Sequence, residues 1–478
     1  MARLLLVAVW LLVVWGALAF GAVYAWAWRP LITGCAVVGV ASWMVARRYG
    51  ARAHDGAVLA ALCAIGALGA LQLVPLPRDT RLLVSPASEA MLLELDLEYA
   101  VAAQVSQAVP ARPLSLNPAG TARALVLLVG LSLLLAGLTR LLNVTGARRL
   151  VNAIVAFGAV LALVGIIQYA VLGDHAWGGM RIYGFWAPMN RLTTPFGPFV
   201  NRNHFAGWML MGLPLAMGLG LGWAERAQRD GSRGWRDGLL WLSSRDGGKL
   251  QLAALAAMVM GVSLLMTRSR SGIAGFVLST LIAGVVVGKR FDAGRFKWLA
   301  TGALTLMLIG AFTWAGPGVA DRFASGSLEL RRLIWRDSVA VVRDFPLTGT
   351  GLNSFRVAMT HYQTTLLDTP FQEAHNDYLQ ILVEGGLLIA VPVGVALLLL
   401  VRSIRQRFRL QQDEGMSYWL RFGATTGLVA IGVQSLVEFS LQMPGNAAMC
   451  VVLMAVAMHE APARSTRRGV VLQRGDKG

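Results

Sequence analysis

Charged residues and cysteines are scarce in this sequence. Only 14% of its 478 residues are charged, whereas 56% are hydrophobic, so the chain is too apolar to surround soluble cores with a charged surface. Its three cysteines, Cys35, Cys63 and Cys450, lie in apolar stretches without the spacing of metal ligands. These shortages exclude an ordinary soluble domain, and we expect neither disulfides nor a metal site.

Long apolar runs are abundant instead. A transmembrane helix needs roughly 20 apolar residues, and its backbone must form its hydrogen bonds internally. We therefore predict an all-α polytopic membrane protein with about twelve transmembrane helices and a single membrane domain over residues 1–478. The predicted spans are 4–26, 31–46, 57–76, 122–139, 150–172, 203–223, 250–267, 271–288, 298–316, 386–401, 418–440 and 445–459.

The net charge of +18 is distributed unevenly between the two predicted sides of the membrane. With the N-terminus in the cytoplasm, the cytoplasmic segments contain 27 of the 43 basic residues but only 10 of the 25 acidic ones. Cytoplasmic loops of membrane proteins are enriched in Lys and Arg, so this pattern supports the spans and places both termini in the cytoplasm, including a basic tail at 461–478. The basic excess is thereby explained by topology, and we expect no nucleic-acid partner.

Two predicted outer segments, 77–121 and 317–385, are too long to be simple connections, and such loops are usually functional. The first is amphipathic enough to rest on the outer leaflet of the bilayer. The second contains a predicted helix over Leu328–Asp344, a Pro/Gly-rich turn at Pro346–Gly351, and a predicted helix over Phe371–Val383 that leads into span ten. We expect the second segment to carry the function.

Three arginines, Arg202, Arg268 and Arg270, fall at the outer ends of predicted spans, where positive charge opposes the orientation signal. Arginines at this depth are energetically costly, and a guanidinium group binds phosphate oxygens in a two-pronged geometry. The sequence therefore predicts a diphosphate-binding site. The alternative is that these side chains reach lipid headgroups without a specific ligand.

His375 lies in the most polar part of the second outer segment. A helix there would place His375, Tyr378 and Leu382 on one face, with Asp377 and Glu384 nearby. The pKa of histidine, about 6.5, suits a general base, although a structural role for His375 is the alternative.

Two further residues are expected near this chemistry. We interpret His204 as a neighbour of the arginine site rather than as a base. Glu438 should pair with an outer arginine, because a buried carboxylate without a partner is costly.

Several motifs resemble those of the O-antigen ligase and polymerase superfamily, most strongly over residues 190–390. They are His375–Gln380 (HNDYLQ) followed by Glu384–Gly386 (EGG), the turn Pro346–Gly351 (PLTGTG) with Arg332 and Trp335 before it, Asn201–Gly207 (NRNHFAG) and Ser269–Gly272 (SRSG).

The resemblance implies a GT-C-like membrane glycosyltransferase with a long periplasmic loop between spans nine and ten, and without a metal or other cofactor. Such an enzyme moves a glycan from an undecaprenyl diphosphate carrier to an acceptor, either lipid A-core or a growing glycan, at the periplasmic face of the bacterial inner membrane. The resemblance makes His375 the essential histidine and Arg202 and Arg270 the phosphate-holding arginines, with Arg268 beside them. Asn376, Asp377, Tyr378, Glu384, His204 and Glu438 are the expected supporting residues.

Other functions stay open at this stage. A ligase is favoured over a polymerase that joins repeat units, and over a protein O-glycosylase, for which no separate acceptor-recognition domain is evident. A transporter or lipid flippase also fits twelve spans, but it predicts charges at the membrane midplane. The predicted spans are nearly free of ionisable residues there.

Overall fold

The computed structural model describes residues 1–51, 55–105, 109–172, 181–187, 194–229, 235–290, 302, 327–365, 370–410 and 415–460. Within these ranges the fold is helical and no β-strand occurs. Apart from residue 302, the predicted ninth span at 298–316 lies outside the described residues, and so does the tail at 461–478.

The helices are named here in chain order. They are α1 (Ala2–Leu18), α2 (Ala25–Arg48), α3 (Gly56–Leu71), α4 (Arg78–Val84), α5 (Pro86–Leu95), α6 (Leu97–Gln104), α7 (Pro118–Thr145), α8 (Arg148–Leu172), α9 (Arg202–Arg229), α10 (Trp235–Leu242), α11 (Arg245–Met266), α12 (Arg270–Arg290), α13 (Ser327–Asp344), α14 (Phe355–Tyr362), α15 (Asp377–Leu410), α16 (Met416–Gln434) and α17 (Pro444–Met458).

Seven helices in the described part of the chain, α2, α7, α8, α9, α11, α12 and α15, are long and apolar enough to cross a membrane. Three shorter apolar helices, α1, α3 and α17, coincide with predicted spans, as does α16. The all-α polytopic class is therefore confirmed, whereas the total of twelve spans stays a prediction.

The first predicted span, 4–26, is wrong at its end. Helix α1 stops at Leu18, and the chain turns through a short 3-10 segment at Phe20–Ala22. Gly21 has φ 71°, and a Cβ atom there would lie 3.1 Å from the Phe199 ring. The close approach of this ring and the left-handed backbone together explain why an apolar run did not remain one straight helix.

Helix α9 forms the centre of the bundle and packs against α8, α11, α12, α16 and α17. Its residues from Phe205 to Ala216 are buried on every side, as expected for a helix that is apolar all round. Because α9 begins at Arg202 and carries Glu225 near its other end, it connects the two polar ends of the bundle.

The two long outer segments pack against each other around a second, smaller core. Met91 of α5 joins Ile334 and Val341 of α13, together with Phe355 and Met359 of α14. Residues from the segment at 77–121 therefore share one small core with the segment that bears His375.

The predicted helix over Leu328–Asp344 is confirmed as α13, but the helix predicted to begin at Phe371 is wrong. Residues 371–376 form a non-helical strap, and α15 begins only at Asp377. The side chain of Asn376 explains this start, because its Oδ1 accepts the amide hydrogen of Leu379 at 3.0 Å and so caps α15. His375 precedes the helix, and the helical face expected for it with Tyr378 and Leu382 does not exist.

Candidate functional site

A sharp break in α15 positions the outer segment against the bundle. At Gly386 (φ 55°, ψ −163°) the helix is interrupted. The amides of Leu387 and Leu388 donate to the carbonyls of Pro346 and Leu347, both at 2.9 Å. A Cβ atom on Gly386 would lie 2.4 Å from the Leu347 carbonyl oxygen, so only glycine fits. The Pro/Gly-rich turn and the break in α15 thus form one joint.

Glu384 holds this joint from inside. Its buried carboxylate accepts the amide hydrogens of Asn353 at 2.7 Å and Phe355 at 3.2 Å. Gln72, the residue immediately after α3, donates two further hydrogen bonds, to the carbonyls of Thr348 at 2.8 Å and Glu384 at 2.9 Å. Glu384 is therefore occupied with the backbone of the turn, which is a positioning role.

The strap that carries His375 is fixed on both sides. His375 has φ 50°, a left-handed conformation that is uncommon for a side chain of this size. The carbonyl of Ala374 accepts a hydrogen bond from the Trp335 indole at 2.9 Å. The backbone amide of Ala374 donates to Oε1 of Gln380 at 2.9 Å. Neighbouring groups thus determine the position of the histidine, as expected when a strained residue is maintained at a site.

Gln380 also binds the residue two positions before the histidine. Its Nε2 lies within hydrogen-bond distance of three side-chain oxygen acceptors, those of Glu373 at 2.6 Å, Glu384 at 3.1 Å and Gln442 at 3.1 Å. The pKa of Glu373 is raised to about 8, mainly because the carboxyl group is buried. The hydrogen bond from Gln380 lowers this pKa, and the nearby Glu384 carboxylate raises it. One amide side chain therefore links the strap, the joint and the segment before α17.

Glu438 is the carboxylate that faces the histidine. It is 1% exposed, and its Oε2 lies 3.4 Å from Nδ1 of His375. Its Oε1 accepts a hydrogen bond from Nδ2 of Asn203 at 2.7 Å and forms an ion pair with Arg331 of α13. The side chain of His375 is 30% exposed, so its ring has a buried carboxylate on one side and an accessible surface elsewhere.

His204 lies behind this pair. The rings of His204 and His375 each contact Phe439 edge-on, with centroid distances of 4.8 Å in both cases. His204 is 5% exposed, and within the described part of the chain its Nε2 has no hydrogen-bond partner. The structure therefore places His204 on the same phenylalanine ring as His375, and its relation to the arginines stays a prediction.

Two of the predicted arginines begin helices that meet at one point. Arg202 is the first residue of α9 and Arg270 the first of α12. Nε2 of Gln434 on α16 lies 3.2 Å from the Asn203 carbonyl and 3.4 Å from the Ser271 hydroxyl, and so joins the first turns of both helices. Helix N-termini attract anions, and these two arginines add full charges there.

The third arginine, Arg268, lies in the turn just before α12. It has φ 51°, and the Ser269 hydroxyl caps α12 by accepting the Gly272 amide hydrogen at 3.3 Å. Arg268 is thus held by a defined turn next to Arg270, two residues away.

Asp377 and Tyr378 attach α15 to its neighbours. The Asp377 amide donates to the Ser435 carbonyl at 2.9 Å, and its carboxylate accepts from Gln442 at 3.2 Å. The Tyr378 hydroxyl donates to the Gly432 carbonyl at 2.9 Å. Both are positioned as scaffold residues, at the same end of the bundle as His375.

Sequence reasoning missed Arg331 and the role of Gln380. A signal for Arg331 was present, because Arg331 and Trp335 are four residues apart and share a face of α13. That face meets Glu438 through Arg331 and the strap through Trp335. Arg332, which the motif comparison singled out, is exposed on another face.

Chemically, the site combines an accessible imidazole, a buried carboxylate that orients it, and arginines at two helix N-termini. Such a set can accept a proton and hold an anion at neighbouring points.

One family model matches part of the chain. Residues 255–393 match the family model described as O-Antigen ligase, which confirms the resemblance to the O-antigen ligase superfamily. The matched region includes Arg268, Arg270, Arg331 and His375, whereas Arg202, His204 and Glu438 lie outside it. No curated protein gave a significant match. The family match supports a glycosyltransferase-like enzyme of the ligase or polymerase type in a bacterial membrane.

Proposed function

We propose that this protein is an O-antigen ligase-like glycosyltransferase. It moves a glycan from an undecaprenyl diphosphate carrier to lipid A-core at the periplasmic face of the inner membrane, without a metal ion. The observation that carries the proposal is the contact between His375 and the buried Glu438, at the end of the bundle where α9 and α12 begin with Arg202 and Arg270.

His375 is the base in this proposal. Because its Nδ1 faces Glu438 at 3.4 Å, Nε2 is the ring nitrogen that remains for the acceptor. A carboxylate beside Nδ1 fixes the tautomer with a proton on Nδ1 and stabilises the imidazolium that forms when Nε2 takes a proton. Arg331 and Asn203 in turn hold the carboxylate in place.

The arginines bind the leaving group. Arg202 and Arg270 neutralise the carrier diphosphate, and the positive ends of the α9 and α12 helix dipoles add partial positive charge. Holding this charge lowers the barrier to departure of the diphosphate. It also fixes the sugar next to the acceptor, which removes an entropic cost.

One bond forms and one bond breaks in the proposed transfer. The acceptor hydroxyl oxygen forms a bond to the anomeric carbon of the carrier-linked glycan, and the bond between that carbon and the diphosphate oxygen breaks. The hydroxyl proton passes to Nε2 of His375, and undecaprenyl diphosphate leaves with the bonding electron pair. No oxidant, reductant or nucleotide is consumed.

Deleting the gene in its native host and profiling the cell-envelope glycans tests this proposal. A ligase leaves full-length polysaccharide on its carrier and bare lipid A-core, whereas a polymerase leaves single repeats. Complementation with wild type should restore the profile, and His375→Ala should not. Rescue by His375→Ala would remove the assigned base. A chelator such as EDTA should leave transfer in isolated membranes unchanged. Inhibition of transfer by EDTA would contradict a metal-independent step.

A further inference from the structure

A groove between α1 and α8 lies at the end of the bundle opposite His375. It has a volume of about 280 Å³. The α1 side presents Arg3, Leu6, Val7 and Trp10, which recur at the i, i+3, i+4 and i+7 positions of one helical face. The stripe therefore runs from a charge at the helix end to an indole roughly 10 Å deeper along the axis.

The chemistry of the groove changes along this depth. At its mouth are the exposed side chains of Arg3 and, from α8, Arg149. Below them are the buried Leu6 and Leu150. The indole nitrogen of Trp10 donates to the Ala153 carbonyl at 3.1 Å, so this polar group is already satisfied. The interior consequently offers carbon surface, with two positive charges at its opening.

The groove is separate from the candidate catalytic site. The far end of α1 is bonded to Tyr183 through the Leu18 carbonyl, and near the far end of α8 Tyr169 contacts Phe196, which packs on Phe205 of α9. Those far ends lie at the first turn of α9, where the arginines of the site begin. The mouth of the groove is therefore a full helix length away from the proposed diphosphate site.

We infer that this groove binds an anionic phospholipid of the bilayer. The lipid phosphate lies between Arg3 and Arg149, and the first carbons of an acyl chain lie along Leu6 and Trp10. Basic pockets between transmembrane helices bind anionic headgroups, and two guanidinium groups favour a headgroup with net negative charge over a zwitterionic one. A free phosphate ion cannot fill the apolar part. The inference does not depend on the proposed function.

Native mass spectrometry of the purified full-length protein tests the inference, with phosphatidylglycerol and phosphatidylcholine as probes. The Arg3→Gln/Arg149→Gln variant should bind phosphatidylglycerol on the order of tenfold more weakly, with little change for phosphatidylcholine. The matched control is Arg402→Gln/Arg405→Gln, which removes two exposed arginines from α15, away from the groove. It should retain phosphatidylglycerol binding within about twofold.

A second variant separates loss of binding from loss of folding. Ala153→Leu fills the groove and keeps both arginines, so it should also weaken phosphatidylglycerol binding while the thermal unfolding temperature in detergent stays close to that of wild type. Equal phosphatidylglycerol binding by wild type and the Arg3/Arg149 variant would overturn the inference. An equal loss in the Arg402/Arg405 control would overturn it as well, since binding would then follow net charge alone.

Discussion

Each end of the bundle has a buried glutamate that is paired with arginine. The other partners of the two glutamates differ. At one end Glu225 is bonded to Arg290 at 3.2 Å, to Arg229 at 3.1 Å and to the Trp419 indole at 2.7 Å. At the other end Glu438 is bonded to Arg331 and Asn203, and also lies beside His375. Of these two glutamates, only Glu438 has an imidazole among these partners, and an imidazole can accept a proton from a substrate hydroxyl.

This difference separates a structural ion pair from a candidate catalytic one. Buried pairs are common wherever helices must be held together, and they are weak evidence for function. A partly exposed imidazole against a buried carboxylate, on a strap in strained backbone conformation, has no equivalent use in holding helices together. The partners of Glu438 therefore indicate the candidate catalytic site. Burial of a glutamate alone does not, because Glu225 is also buried.

The largest expected effect comes from exchanging the two glutamates for their amides. Glu438→Gln should lower glycan transfer about 100-fold or more, because the imidazolium loses its stabilising charge. The matched variant Glu225→Gln should keep transfer within about twofold while lowering thermal stability. Transfer assays in isolated membranes, together with unfolding curves, measure both. Equal loss of activity in the two variants would contradict the distinction between a structural Glu225 and a Glu438 that takes part in catalysis.

A smaller effect is expected from changing arginine to lysine. Arg202→Lys and Arg270→Lys should each reduce kcat/KM for the lipid-linked donor roughly tenfold or more, because an ammonium cannot bind phosphate oxygens in two-pronged fashion. Arg402→Lys at the opposite end is the control and should behave as wild type. Steady-state kinetics with varied donor concentration give the comparison. Unchanged kinetics in both site variants would favour arginines that only contact lipid headgroups.

The joint in α15 provides a comparison within one helix. Gly386→Ala should destabilise the protein by about 1–3 kcal/mol, because the left-handed backbone and the nearby Leu347 carbonyl exclude a methyl group. Gly394→Ala, where no atom lies within 4 Å of the new Cβ, should change stability by less than about 1 kcal/mol. Chemical unfolding in detergent distinguishes them. Similar values would show that the break in α15 is not required by this contact.

The smallest effect concerns pH. With its pKa raised to about 8, Glu373 keeps a proton in the folded state that it loses on unfolding, so stability should fall as the pH rises from the usual glutamate range through 8. Glu373→Gln removes this titration and should flatten the dependence by up to about 1 kcal/mol per pH unit. Unfolding midpoints measured between pH 6 and pH 9 test it. Identical pH profiles would contradict the raised pKa.

The fold class followed from the sequence because the length and apolar composition of a span are properties of a single segment. The same reasoning failed at the ends of elements. The apolar run after Leu18 gave no sign of the turn at Phe20–Ala22, since that turn depends on the Phe199 ring, a distant contact. The helix expected from Phe371 likewise begins late because side chains of Gln363 and Gln380 bind the strap backbone.

The candidate site was predictable in its residue types and less so in its contacts. The chemistry and the predicted side of the membrane agree for His375, Arg202 and Arg270, and in the structure these residues lie at one end of the bundle. An arginine partner was expected for Glu438, but Arg331 was not identified as that partner, because the pair joins segments 107 residues apart. Nor was Glu384 recognised as a brace for the turn at Asn353, a role that depends on tertiary packing.

Transfer by the purified protein reconstituted in lipid provides the decisive test. A labelled glycan on undecaprenyl diphosphate is supplied with lipid A-core, and the covalently linked product is measured for wild type, His375→Ala and His361→Ala. His361 is a suitable control because it pairs with Glu94 of α5. We expect wild type and His361→Ala to form the glycosidic bond at similar rates, and His375→Ala to be at least about 100-fold slower. Product formation by His375→Ala at the wild-type rate would contradict the proposed base, and relocation of intact donor without a new bond would contradict transferase activity altogether.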